Sequence, residues 1–183
     1  MSDGATLSGV RGTLDIDTAP LAGVLARLRT AGAELGEPLE AIGAVLVANT
    51  MRRFETGQAP GGAPWIVSLR AKIRGGQTLV DTARLKQSFS SRVFGKVVEW
   101  GTNVLYAAIH QFGGTILPKK GPFLIFTNAQ GFKVFARKVV MPARPFVGFD
   151  DDDRTDVREI LIEHLRRVGG VSPEGSAAPG GAA

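Results

Sequence analysis

Apolar residues recur at helical spacing along Leu39, Ile42, Leu46, Ala48 and Met51, and Phe54 extends the series. This pattern predicts a helix beginning near Glu37, with Pro38 in its first turn, where a missing amide costs no internal hydrogen bond. An earlier series, Leu21, Val24, Leu25 and Leu28, predicts another helix. Asp17 or Thr18 supplies its cap, Pro20 lies in its first turn, and Gly32 and Gly36 break it. Ahead of it, Val10 to Ile16 alternates and reads as a strand or extended arm.

Gly57 to Pro64 is rich in Gly and Pro and suits neither a helix nor a central strand. Trp65 follows at once and is expected to pin that loop to the core. Leu69 to Ile73 predicts a helical turn closed by Gly75-Gly76. Leu79 to Phe89 predicts a short helix capped by Asp81 or Thr82, with Leu85 and Phe89 facing inward. From Ser90 the period changes to two. Ser91–Phe94 and Lys96–Trp100 read as a hairpin around Gly95. Phe123–Thr127 and Phe132–Arg137 read as a second hairpin, turned by Asn128-Ala129-Gln130-Gly131. Between them, Tyr106 to Phe112 predicts a short helix ended by Gly113-Gly114. Asp150 to Arg167 predicts a last helix burying Ile160, Leu161 and Leu165, supported by Val157. Its acidic start and basic end suit the helix dipole.

These elements add up to an α+β fold: a small, mostly antiparallel sheet with N-terminal helices and a C-terminal helix. Residues 1–18 are expected to form an N-terminal arm or strand, and 19–168 a single domain. Residues 169–183, almost wholly Gly, Ala, Pro and Ser, are expected to form a disordered tail.

Composition narrows the function classes. The chain has 183 residues and no cysteine, which excludes disulfides, thiolate zinc sites and cysteine nucleophiles. No apolar run approaches the roughly 18 residues of a membrane span, so no membrane partner is expected. The first residues lack the pattern of a secretory signal. The net charge of +5 hides a division. Gly57 to Phe149 holds 13 Lys or Arg against 2 acids, a net of +11, while the flanks together hold 9 bases and 15 acids, a net of −6. Such a split points to subunits docking acid to base, or to a basic surface facing DNA.

Catalytic chemistry has little to stand on. His110 and His164 lie on different predicted helices, and neither has metal-ligand spacing to another group. His164 reads as a solvated residue near a helix end. The run Asp150–Asp153 lacks the spacing of a calcium loop and reads as helix-cap charge. The pairs Gly61-Gly62, Gly75-Gly76 and Gly113-Gly114 match no phosphate-cradling motif. No catalytic residue, cofactor or metal site is therefore expected. Lys119, Lys120, Lys133, Arg137 and Lys138, interleaved with Phe132 and Phe135, remain candidates for contact with DNA or a partner, without sequence specificity.

Two segments go beyond generic patterning. One is Tyr106-Ala107-Ala108-Ile109-His110-Gln111-Phe112-Gly113-Gly114, preceded by Gly101-Thr102. The other is Met141-Pro142-Ala143-Arg144-Pro145-Phe146-Val147-Gly148-Phe149. With Phe54, Gly61-Gly62 and Trp65 upstream, and Leu79 to Ser88 after them, they resemble the phage virion morphogenesis family, the tail-completion proteins of Mu-like phages. The resemblance runs from about Leu39 to Arg167. Ala83 stands where that family usually has glycine, and Val147 where it has leucine.

The resemblance implies a structural protein of the virion neck, at the head–tail junction, made in the host cytoplasm. It implies a ring, expected to be a hexamer, between a head-side connector or head-closure protein and a tail-terminator or tail protein. Genomic DNA would pass through its channel and touch it without specificity. The alternatives are a tail-terminator or tail-tube-associated ring, or a nonspecific DNA-binding protein. The residues it singles out are Trp65, Tyr106, His110, Gln111, Phe112, Gly113, Pro142, Arg144, Pro145 and Phe146. Pro142 and Pro145 would lock the backbone around Arg144, presenting its planar fork to a carboxylate on the same or a neighbouring subunit. Tyr106, Ile109 and Phe112 would share one helix face, with His110 and Gln111 turned from it. The N-terminal arm and the Gly113–Pro122 loop are the expected reach toward neighbours.

Overall fold

The computed structural model describes residues 10–15 and 35–169. The predicted helix around Leu21–Leu28 and the Gly/Ala/Pro tail lie outside the described residues. The fold is α+β.

Helix α1, Gly36–Thr56, is the main buried element. Its inner face is Leu39, Ile42, Gly43, Leu46, Asn49, Thr50, Arg53 and Phe54. Ala48 is exposed and Met51 half-buried, so both fall off the face assigned to them from spacing. Three polar residues hold core positions instead. The helix ends at Gly57, whose left-handed φ of 70° lets its amide return to the Arg53 carbonyl at 2.9 Å.

Strand β1, Val10–Asp15, β2, Ser90–Phe94, and β3, Val97–Thr102, form an antiparallel sheet in the order β1-β3-β2. The alternating piece near the N-terminus is thus a strand. The Gly95 hairpin is present, with Phe94 opposite Val97. Val98 and Trp100 of the central strand are buried at 0% and 3% exposure, on the period of two. Helix α1 lies across β2 and β3 and approaches closely at Gly43. A Cβ there would stand 2.7 Å from Ser91 Oγ, so only glycine admits this contact without a shift.

Helix α2, Leu69–Arg74, follows the Gly/Pro loop, and Ser68 Oγ caps it by accepting from the Ala71 amide at 3.2 Å. The expected helix from Leu79 to Phe89 is not one. Turns fill 79–85, and only a single 3-10 turn, Lys86–Ser88, follows. Leu79 and Ala83 adopt φ of 64° and 60°, which no right-handed helix tolerates. Leu85 and Phe89 still reach the core at 4% and 8% exposure.

Helix α3, Ala107–Phe112, leads into a long ribbon. Strand β4, Gly114–Ile116, pairs with β7, Val139–Met141, and β5, Leu124–Thr127, pairs with β6, Lys133–Ala136. Seven residues, 117–123, interrupt one side of the ribbon against two, 137–138, on the other. The Gly113–Pro122 segment is therefore not all loop, because its first part is strand β4.

Helix α4, Asp151–Gly169, packs along α1. Of its expected core residues Val157 is buried, while Ile160, Leu161 and Leu165 are half-buried. His164, expected in solvent, is 6% exposed. Its Nδ1 lies 3.1 Å from Arg167 Nη2, and its Nε2 is buried without a partner among the described residues. Phe54, Phe89 and Phe146 pack with centroids 5.1–5.8 Å apart, and Trp65 meets Phe54 edge-on at 5.5 Å. Burying one such ring contributes about 1.5–3 kcal/mol, so this cluster binds α1, the Trp65 loop and the C-terminal segment together.

Candidate assembly surface

The two motif segments meet. Gln111 sits inside and clamps the chain: its Oε1 accepts from the Phe146 and Val147 amides at 2.9 and 3.0 Å, and its Nε2 donates to the Val147 carbonyl at 2.7 Å. One side chain thereby satisfies three backbone groups that would otherwise be buried unpaired. Trp65 Nε1 donates to the Pro145 carbonyl at 2.7 Å, so the indole anchors the Gly/Pro loop as its position implied. Pro142 and Pro145 are half-buried and flank Arg144, whose amide donates to the His110 carbonyl at 2.7 Å.

Gly113 is required by contact as well as by its φ of 69°. A Cβ there would stand 2.7 Å from Ala143 N and 2.8 Å from Met141 O. The backbone of one motif thus lies directly against that of the other. Phe146 is wholly buried among the aromatic rings. Gln111, Gly113, Phe146 and Trp65 hold the fold together rather than facing outward.

Arg144 differs from its expected presentation. The mount is rigid, but the guanidinium does not project, since the residue is 4% exposed and its Nε donates to the Ile66 carbonyl at 2.7 Å. His110 lies beside it, half-buried, with Nδ1 unpartnered among the described residues. Burial, and then the neighbouring Arg144 charge, push the His110 pKa down and favour the neutral ring. Burial also works against the Arg144 charge.

The outward face is the aromatic one. Tyr106 and Phe112 are 41% and 70% exposed, and Ile109 between them is half-buried. The ribbon exposes more. Ile125 and Phe135 are direct cross-strand partners on one face of the β5–β6 ladder, and both are over 60% exposed. Phe132, at the turn end of the same hairpin, is 69% exposed. A two-stranded ladder with an uncovered apolar face is marginal alone and marks a contact surface.

The five basic candidates all lie on this ribbon. Lys119 and Lys120 fall in the seven-residue interruption, Arg137 and Lys138 in the two residues opposite, and Lys133 at the distal start of β6. All five are exposed, and none forms an ion pair with the described residues.

Spacing alone did not reveal the polar network behind the motifs. Arg53 Nη1 donates to the Phe146 and Gly148 carbonyls at 3.3 and 3.0 Å. Its Nη2 reaches Asp150 at 2.9 Å and also binds Asp153. Asn49 Nδ2 donates to Asp153 at 2.9 Å and to Asp156 at 2.7 Å. Asp150 and Asp153 also cap α4 reciprocally, each carboxylate accepting the other's amide, at 3.0 and 3.1 Å. The cap expected for this acidic run is present, and it doubles as the receptor for Arg53. The available signal was a polar pair, Asn49 and Arg53, at the buried phase of an otherwise apolar helix face.

Among the described residues no three His, Asp or Glu gather as a metal site would require, and no helix is long and apolar enough to cross a membrane. No solved structure matches the chain. The chain is 33% identical over 142 residues to a protein described as Mu-like prophage FluMu G protein 2 of Haemophilus influenzae. That match covers 78% of this chain and 86% of the relative. Residues 16–166 match the phage virion morphogenesis family, a span that contains Trp65, Gln111, Gly113 and Phe146. With both motif segments interlocked inside that span, the chain belongs to the phage virion morphogenesis family.

Proposed function

We propose that the protein is a structural component of the virion neck. It completes the tail and joins it to the head as a homo-oligomeric ring, a hexamer, around a central DNA channel. Its neighbours would be a head-side connector or head-closure protein on one face and a tail-terminator or tail protein on the other. Family membership supports a part in virion morphogenesis. The observation that carries the assembly reading is the uncovered Ile125–Phe135 face of the ribbon. An exposed apolar face of this kind costs solubility in a monomer and is covered in an assembly.

Charge supports a head-to-tail arrangement. Helices α1 and α4, packed on each other, hold nine acids and six bases, a net of −3. Gly57 to Phe149, which carries the ribbon, has a net of +11. Unlike surfaces on one subunit make a heterologous interface, the kind that closes rings. The ribbon cations, Lys119, Lys120, Lys133, Arg137 and Lys138, serve a neighbour's acids or the DNA backbone in the channel.

Native mass spectrometry of the purified protein, together with its position in a virion reconstruction, tests this reading. A closed ring at the head–tail junction is expected. A ring at the tail end alone would move the assignment to a tail terminator or tail-tube protein. A monomer with salt-dependent affinity for duplex DNA would replace it with nonspecific DNA binding.

A further inference from the structure

A groove of about 640 Å³ runs between α2, the turns at 79–85 and strand β7. Leu69, Leu79, Phe126 and Val140 give it apolar walls, and Arg144 and His110 line it between them. Arg144 is 4% exposed, yet no carboxylate among the described residues stands within ion-pair distance of it. Its Nε is used on the Ile66 carbonyl, which leaves the outer edge of the fork for another acceptor. A buried guanidinium without a counter-charge is an expensive feature to keep. Asp81 also lines the groove, but its carboxylate faces Arg70 at 3.6 Å and forms no pair with Arg144. Beside Arg144, His110 Nδ1 is a buried polar atom without a partner among the described residues. A planar cation and an imidazole nitrogen between apolar walls form the receptor chemistry of a carboxylate.

We infer that this groove receives a carboxylate side chain from a second copy of the chain, held by the free edge of Arg144. The inference rests on the ring reading above and names one of its contacts. Charge complementarity points to a second copy, because the acidic surface is the α1–α4 layer of the same molecule. Asp151 and Asp152 are the foremost donors. Their side chains are 99% and 83% exposed, paired only loosely at the surface with Arg154 at 3.5 Å and Arg52 at 3.9 Å, and they stand outside the Arg53 network that occupies Asp150 and Asp153. Groove and donors come from different parts of the chain, so the contact is head-to-tail and suits a ring.

The test is native mass spectrometry over a dilution series on the full chain. It compares the wild type, the double variant Asp151→Asn/Asp152→Asn, Arg144→Lys, and all three changes together, with thermal melts as folding controls. Lysine keeps the charge and loses the fork. The double variant should melt like the wild type and assemble about tenfold more weakly or worse, the loss typical of cutting a desolvated charge pair. Arg144→Lys should weaken assembly similarly, and the triple variant should be no weaker than the weaker of the two. Rings of wild-type strength from the double variant, or losses that simply add, would overturn the inference while leaving the ring intact. If Arg144→Lys does not fold, the double variant decides alone, because its changes lie at the surface. A wild type that stays monomeric at every concentration would overturn the ring reading itself, and this contact with it.

Discussion

Asp153 of α4 receives the guanidinium of Arg53 from α1, a hundred residues earlier, and both side chains are buried, at 1% and 8% exposure. This pair ties together the first and last long helices of the described fold. It also holds the segment that carries the second motif, because the same guanidinium binds the Phe146 and Gly148 carbonyls.

Cutting one side of this pair leaves an uncompensated buried charge. Arg53→Ala and Asp153→Ala should each destabilise the fold by about 3–5 kcal/mol. The double variant Arg53→Met/Asp153→Leu should recover part of that loss, because the most buried charge leaves with its partner while only the less buried Asp150 loses its cation. Chemical denaturation of the three variants measures this. Equal losses in the single and double variants would show that shape, not charge, dominates.

Asp150 gives the pH dependence a sign. Burial raises its pKa, but the Asp153 and Gly61 amides and the Arg53 charge outweigh that and bring it from 3.8 to about 2. The folded state thus favours the ionised carboxyl. Its stabilising contribution is complete above the ordinary value and fades as pH falls from about 3.8 toward 2. Thermal unfolding across that window should be steeper in pH for the wild type than for Asp150→Asn. Parallel curves would remove Asp150 from the acid response.

Ala83 holds a φ of 60°, in the region that favours glycine. Left-handed backbone costs a side-chain-bearing residue about 1–2 kcal/mol, and glycine returns roughly 0.4–1 kcal/mol of that as unfolded-state entropy. Ala83→Gly should therefore stabilise the protein by a few tenths to about 1 kcal/mol. Leu79 has a similar φ of 64°, but its side chain packs on the core. Leu79→Gly should destabilise, because the lost burial exceeds the relieved strain. Opposite signs for the two variants in denaturant titrations are the expected result.

Gly113→Ala should be among the most damaging single-methyl additions, by about 2 kcal/mol or more, since backbone atoms and not a flexible side chain oppose the new Cβ. Gly131→Ala is the control: its φ of 92° is strained too, but its Cβ would meet open space. Urea midpoints separate the two, and equal losses would show that φ strain alone is at work.

The ribbon's open face should matter to assembly and not to the fold. Ile125→Thr/Phe135→Thr removes exposed apolar area from a cross-strand pair. Monomer stability should change by less than about 0.5 kcal/mol per site, while ring formation falls sharply in native mass spectrometry. Rings unchanged by the double variant would move the interface elsewhere.

Much of this was legible in the order of residues. Periodicity located α1, the Gly95 hairpin, the ribbon's distal hairpin, α3 and α4, because these elements are governed by which side of a local axis meets water. The two motifs carried the family. Local pattern misplaced residues wherever the deciding contact was distant. The stretch from Leu79 to Phe89 has helical spacing, yet its positive φ values arise where Leu79 and Leu85 are drawn to the core along a turning path. Gln111 and Arg53 are polar, so spacing assigned them no inner role. They are buried because backbone carbonyls and amides from 35 to 95 residues away need partners. The same holds for Arg144. Its presence between two prolines was plain from the chain, and the expectation was an outward fork. Only the packing of α3, the Ile66 carbonyl and β7 around it decided that the fork would lie in a groove, buried and without a counter-charge among the described residues.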